Sequence, residues 1–222
     1  MHQRNHRVLV VGRSAPVLVD VVAMLRDRGY GANASNQFDS LLDDYDVREV
    51  DLVIFGGMVP PEKKEDLSAS ILELNPRAGF LQGLGGIAPL LVAQVEEFFG
   101  GAAPGVEYDA ATRLVRVTLA EAAPVLIEGL WAAFVPEPVA QSVVTFDAML
   151  EPGVHEIPIP SAVPLEGSYL AVRVGEGVSA LRIGEPSQSV QRIVAARALP
   201  APAPVTTRFP WDGDVGARPV AG

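Results

Sequence analysis

The chain has 222 residues, no cysteine and a net charge of −10, and 49% of its residues are hydrophobic. This length accommodates one or two domains, and the hydrophobic content is too high for a disordered chain. The lack of cysteine excludes disulfides, thiolate metal sites and a cysteine nucleophile. The acidic charge argues against nucleic-acid binding, because a phosphate backbone would be repelled.

The N-terminal segment does not have the pattern of a secretion signal. Its apolar run covers only Val8 to Val11, whereas a signal peptide needs about 7–15 apolar residues. No stretch reaches the roughly 20 apolar residues that span a bilayer. We therefore expect a cytoplasmic protein that does not bind membranes.

The first half of the chain alternates apolar runs with helical patterns. Ser14 is a candidate N-cap for the first helix, and Pro16 lies in its first turn, where its missing N–H is tolerated. The predicted strands are residues 7–11, 31–35, 51–55 and 78–82, and the predicted helices follow Ser14, cover 38–45, follow Pro60 and cover 88–99. Alternation of this kind predicts right-handed crossovers and a mostly parallel sheet.

Several glycines follow these strands, at the sheet edge where parallel α/β proteins bind ligands. The candidate anion- or ligand-binding residues at this edge are Gly12, Arg13, Ser14, Gly56, Gly57 and Gly83. An arginine beside a helix N-terminus can hold a phosphate or carboxylate. The stretch after the first strand has only the first glycine of the dinucleotide fingerprint, so a simple tight turn remains the alternative.

Residues 7–99 resemble the receiver domain of bacterial response regulators, through RVLVVG, RDRGY and DLVIFGGMVP. The resemblance implies a flavodoxin-like α/β fold. The family's phosphate-accepting aspartate would fall at Gly56, its metal-binding acidic pair at Gly12 and Arg13, and its hydroxyl residue near Gly83. Gly and Arg supply no carboxylate for phosphate or Mg²⁺. A degenerate receiver of this kind implies a protein-docking surface without phosphotransfer.

The second half of the chain has a different pattern. Residues 1–99 are the predicted receiver-like domain, and the GGAAPG stretch at 100–105 is the predicted linker. Residues 106–199 contain many short β-type runs separated by Gly and Pro, which predicts a β-sandwich or small barrel. The apolar run at 124–134 is compatible with either a helix or a strand.

Two segments are candidate protein interfaces. Receiver domains often dimerise through their last helices, which would place Leu91, Val95, Phe98 and Phe99 in a homodimer interface. The Pro-rich tail at 200–222 has the composition of a linker but contains Phe209 and Trp211, which are either docking anchors or packed on the chain itself.

No catalytic, metal-binding or cofactor-binding motif is recognisable. His2 and His6 have a metal-like spacing but no third ligand, and His155 has no triad partner in a known motif. The sequence favours a non-catalytic module that binds a protein partner or a second copy of itself. The alternative is a small-molecule or anion binder, or an enzyme, that uses the glycine-lined edge near Arg13. Sugar binding by the β-rich half is a third possibility.

Overall fold

The computed structural model describes residues 6–134 and 138–184. Within this range the chain divides into two compact units, of which unit 1 ends at Ala88 and unit 2 begins at Pro89. The division lies ahead of the glycine-rich stretch at 100–105, where the composition changes.

Unit 1 is built on a parallel sheet with strand order β2-β1-β3-β4. The strands are β1 (Arg7–Val11), β2 (Gly31–Ser35), β3 (Leu52–Phe55) and β4 (Gly79–Gln82). Its helices are α1 (Ala15–Asp27), α2 (Leu41–Asp44) and α3 (Pro61–Leu74). The predicted parallel sheet is confirmed, and β3 is buried at all four positions, as a strand covered on both faces must be.

The predicted helix at 38–45 is only partly present. The structure has one turn, α2, and then a 3₁₀ turn at Val47–Glu49. Tyr45 has an extended backbone, and its buried hydroxyl donates a hydrogen bond of 2.7 Å to the carbonyl oxygen of Ala34 on β2. Asp46 then accepts from the backbone N–H of Arg48. These two contacts end the helix early, and the helical spacing of apolar residues did not show them.

Helix α4 (Ala88–Gly100) lies at the start of unit 2. Every residue from Leu90 to Glu96 is buried, so the helix is covered on all sides. A helix of this kind is expected to be apolar all round. Its last turn also contacts the β-strands of unit 2. A carboxylate oxygen of Glu97 accepts from the backbone N–H of Ala180 at 3.1 Å.

Unit 2 contains two antiparallel sheets, with strand orders β11-β10-β7-β8 and β5-β6-β9. The strands of the first sheet are β7 (Ala123–Phe134), β8 (Pro138–Leu150), β10 (Ser168–Val174) and β11 (Gly177–Ile183). Those of the second are β5 (Val106–Asp109), β6 (Leu114–Leu119) and β9 (Gly153–Pro158). The run at 124–134, which the sequence left open, is therefore strand β7.

One hydrophobic cluster combines residues from both antiparallel sheets. Val115 and Val117 of β6 pack in the same cluster as Ile127 of β7 and Leu170 of β10. Strand β6 alternates buried and exposed positions, so one of its faces points into this cluster and the other to solvent.

No helix in the described ranges is long and apolar enough to cross a membrane. The predicted β-type run at 191–199 and the tail at 200–222 lie outside the described residues.

Candidate functional site

Three of the candidate glycines extend the parallel sheet at its carboxyl edge. The amides of Gly12, Gly56 and Gly83 each donate to the carbonyl oxygen of the last residue of the neighbouring strand, at 2.8–3.0 Å. A Cβ atom on Gly56 would lie 3.4 Å from the Cα atom of Gly12, so the two strand ends are close together. Because these amides are already hydrogen-bonded within the sheet, they are not donors for an anion.

Arg13 and Ser14 lie where β1 leads into α1. Ser14 takes the N-cap position without a hydrogen bond from its side chain, and its carbonyl oxygen accepts from the N–H of Leu18 at 3.0 Å. Arg13 is half-buried and Ser14 exposed. The structure therefore places both residues beside Gly12 at the carboxyl end of β1, where the sequence predicts them.

The turn after β3 is open. Gly57 is exposed, and a Cβ atom added there would meet nothing within 4 Å. Met58 next to it is 60% exposed. Position 56, where the receiver resemblance would place an acid, is glycine in this open turn. The chain therefore has no carboxylate for phosphate at the end of β3.

Two lysines of α3 lie at the same edge, with opposite changes in pKa. The Lys64 ammonium donates to the side-chain oxygen of Gln82 at 2.6 Å, and partial burial lowers the pKa of Lys64. Lys63 pairs with Asp39 at 2.6 Å, and this hydrogen bond raises the pKa of Lys63. The Gln82 amide donates to the carbonyl oxygens of Phe55 and Gly83, at 2.9 and 3.1 Å. At this edge the charge of Lys63 is therefore paired with Asp39, and Lys64 is hydrogen-bonded to Gln82.

A small cavity lies on the second sheet of unit 2. It holds about 80 Å³ and is lined by Glu107, Tyr108, Asp109, Thr112, Leu114, Arg116 and Glu156. Two of these lining residues are hydrogen-bonded, since the Arg116 guanidinium donates to a carboxylate oxygen of Glu156 at 2.9 Å. Pockets for drug-sized ligands hold roughly 300–1,000 Å³, so this cavity is too small for such a ligand. Among the described residues no three His, Cys, Asp or Glu side chains are grouped so as to hold a metal ion.

Comparisons with known proteins do not assign the chain. No family model and no curated protein matches it.

The candidate interface residues of α4 differ in exposure. Leu91 and Val95 are 3% and 0% exposed, whereas Phe98 is 43% exposed. Phe98 and Phe99 form an edge-to-face ring pair with centroids 5.0 Å apart. A surface available on this helix would have to include Phe98 rather than Leu91 or Val95. Phe209 and Trp211 lie outside the described residues.

The sequence analysis did not select a further set of exposed residues, which lies on two edge strands of unit 2 that are consecutive in the sequence. Strands β8 and β9 lie at the edges of their respective sheets and are joined only by residues 151–152. Their exposed large hydrophobic side chains are Val139, Val144, Met149 and Val154, each 52–64% exposed. Val144 and Met149 share one face of their sheet and Val139 lies on the other face, whereas Val154 belongs to the second sheet; we call the exposed apolar residues of the two strands together the β8–β9 surface. The signal in the sequence was the single charged residue, Asp147, among the thirteen of β8.

Proposed function

We propose that this chain is a non-catalytic protein-interaction module. In this proposal unit 1 is a degenerate receiver-like scaffold, unit 2 is a β-sandwich, and the β8–β9 surface binds a protein. The strand order β2-β1-β3-β4 supports the receiver-like part, because it corresponds to the first four strands of the flavodoxin-like order 2-1-3-4-5.

The shared hydrophobic cluster supports the sandwich. Two antiparallel sheets that pack face to face bury the inner side chains of both in a single core. Val117, Ile127 and Ile157 belong to one such cluster, although they come from strands β6, β7 and β9.

The β8–β9 surface is the observation that carries the interaction role. Val144 and Met149 are 57% and 64% exposed on an edge strand, where backbone N–H and C=O groups are also available for pairing. Val144 and Met149 lie on the same face of β8, opposite Glu128 and Pro124 of β7, and exposed apolar side chains that share a face commonly mark protein-binding sites. The alternative, anion binding near Arg13, is less well supported because the amides of Gly12, Gly56 and Gly83 donate to the sheet.

A site-specific crosslink tests the proposal. A photoreactive amino acid at Val144 should crosslink to a protein, either a different one or a second copy, in cells that make the chain. The same probe at Leu165, which is 63% exposed in unit 2 but outside β8 and β9, is the matched control. The proposal fails if the probe at Val144 captures no protein more efficiently than the probe at Leu165.

A further inference from the structure

We propose that Lys64 is a site of acylation by acyl phosphates, and that it reacts in preference to its neighbour Lys63. The proposal goes beyond the interaction role and does not depend on it. Of the 17 lysine and arginine residues of the chain, only Lys63 and Lys64 are lysines. Apart from the N-terminal amine, they are therefore the only primary amines that an acyl donor has to choose between.

Both lysines lie in the first turn of α3, but they have different partners. The backbone N–H of Lys64 donates to the carbonyl oxygen of Pro60 at 3.0 Å, and the helix dipole disfavours positive charge at this end of a helix. The carboxylate of Asp39, 2.6 Å from the Lys63 ammonium, offsets this effect for Lys63. Among the described residues no carboxylate forms an ion pair with Lys64, whose ammonium donates to the neutral side chain of Gln82.

The difference in partners decides which lysine is the better nucleophile. An amine attacks an acyl donor only in its neutral form, and a desolvated lysine is activated because burial disfavours its charge. Partial burial lowers the pKa of Lys64, whereas the hydrogen bond to Asp39 and the nearby charge of Asp66 raise the pKa of Lys63. At neutral pH Lys64 therefore has the larger fraction of neutral amine.

The acylation step needs only the acyl phosphate as co-reactant and involves no oxidation or reduction. The lone pair of the Lys64 Nζ atom attacks the carbonyl carbon of the acyl phosphate, so that an N–C bond forms and the C–O bond to phosphate breaks. Phosphate leaves with the electron pair of the broken bond. The ammonium loses two protons in total, of which one ends on the released hydrogen phosphate and the other in solvent.

The fold also accommodates the product better at Lys64 than at Lys63. An acylated Nζ atom keeps one N–H, which can still donate to the side-chain oxygen of Gln82. This acceptor is held in place, because the amide group of Gln82 donates to two backbone carbonyl oxygens at 2.9 and 3.1 Å. Acylation of Lys63 would instead remove the charge that pairs with Asp39.

The test is competitive labelling of the folded chain with acetyl phosphate at neutral pH and low conversion. The chain is then unfolded in guanidinium chloride, and its remaining amines are acetylated with deuterated acetic anhydride. Trypsin afterwards cleaves only at arginines, so the peptide 49–77 contains both lysines, and tandem mass spectrometry gives the unlabelled acetyl fraction at each. We expect Lys64 to react at least about threefold faster than Lys63, because the two pKa values are shifted in opposite directions.

Two controls separate the effect of the fold from that of the local sequence. In the chain unfolded in guanidinium chloride, the two adjacent lysines should react at rates equal to within about twofold, since both then have ordinary pKa values. Asp39→Asn, at a side chain that is 92% exposed, removes the ion pair and should speed the labelling of Lys63 at least about twofold without changing that of Lys64. Asp20→Asn, at another exposed carboxylate, should change neither rate.

Three results would overturn the proposal. The first is equal labelling of Lys63 and Lys64 in the folded chain, or no labelling of Lys64 at all. The second is a preference for Lys64 that persists unchanged in guanidinium chloride, because the fold would then not be its cause. The third is an unchanged rate at Lys63 in the Asp39→Asn variant. None of these results bears on the crosslink at Val144, which tests the interaction role separately.

Discussion

The two units differ in where their exposed apolar side chains lie. In unit 1 these side chains lie on helices and turns, at Val19, Leu42, Met58, Leu72 and Leu74. In unit 2 four of them lie on the consecutive edge strands β8 and β9. On a helix only the exposed side chain is available to contact another protein, because the helix backbone is already hydrogen-bonded. An edge strand offers side chains together with unpaired backbone groups, so unit 2 has the better surface for binding another chain.

The units also differ in whether they contain a group of mostly buried, ion-paired side chains. Unit 1 has a surface ion pair between Arg48 and Asp46, whose side chains are 64% and 58% exposed, and unit 2 has one between Arg116 and Glu156, which are 52% and 51% exposed. In unit 2, Arg173 of β10 donates to both Glu96 of α4 and Glu128 of β7. The side chains of Arg173, Glu96 and Glu128 are only 19%, 10% and 27% exposed. Removing one charge should therefore have very different effects in the two units.

The largest effect is expected for Arg173→Ala. The substitution leaves two mostly buried carboxylates without their cation, which should lower the free energy of unfolding of unit 2 by about 3 kcal/mol. Urea unfolding followed by Trp131 fluorescence, in a Trp211→Phe background, measures this change.

The control in unit 1 is Arg48→Ala. Because this arginine and its partner are both exposed, the pair contributes little to stability, and the urea midpoint followed by far-UV circular dichroism should not move measurably. Equal destabilisation by the two substitutions would contradict the contrast between buried and surface charge.

An intermediate effect is expected for Gly129→Ala in the core of unit 2. A Cβ atom there would lie 2.4 Å from a methyl carbon of Val163, which is completely buried. Overpacking of this kind costs about 1–3 kcal/mol. Thermal unfolding of the two single variants and of the double variant with Val163→Ala should show that the double variant loses less stability than the sum of the singles.

Gly57→Ala provides the comparison in unit 1, because a Cβ atom there meets nothing within 4 Å. Its melting temperature should equal that of the wild-type chain. If Val163→Ala does not offset the loss of stability caused by Gly129→Ala, the clash with Val163 is not the cause of that loss.

The smallest effect concerns the two lysines of unit 1. The pKa of Lys64 is lowered in the folded state, so its charge opposes folding at neutral pH, and this penalty disappears as pH rises toward the ordinary value of 10.5. Lys64→Met should therefore be slightly more stable than wild type at pH 7, with a difference that shrinks at alkaline pH. Urea midpoints between about pH 7 and pH 10 measure this.

Lys63→Met should show the opposite sign. The pKa of Lys63 is raised by its hydrogen bond to Asp39, so its contribution favours folding below 10.5 and is lost as pH rises through the raised value. Lys63→Met should be the less stable chain at pH 7. Differences of the same sign for the two variants would contradict the assigned causes.

Much of unit 1 could be predicted from its sequence. Strands β1 and β2 have the predicted bounds. β1 is an apolar run that ends at Gly12, and β2 begins at Gly31, so local pattern and structure agree. α2 was wrong in length because Tyr45 is held by Ala34 of β2, a contact across eleven positions that no local pattern carries.

Unit 2 shows what the sequence could not give. β7 was ambiguous because both of its faces are covered. Ile127 lies in the inter-sheet cluster, and Leu130 on the other face is also fully buried. A strand buried on both sides loses the alternation that marks strands. The β8–β9 surface was missed because nothing in the local pattern shows that β8 and β9 are edge strands of their sheets.

The position of Arg173 in the sequence affects when its ion pairs can form during synthesis of the chain. Its partner Glu96 precedes it by 77 residues and Glu128 precedes it by 45. On the ribosome, α4 is therefore complete long before the strand whose arginine neutralises its carboxylate. Contacts over such separations slow folding, so this buried ion pair is expected to form late in the folding of unit 2.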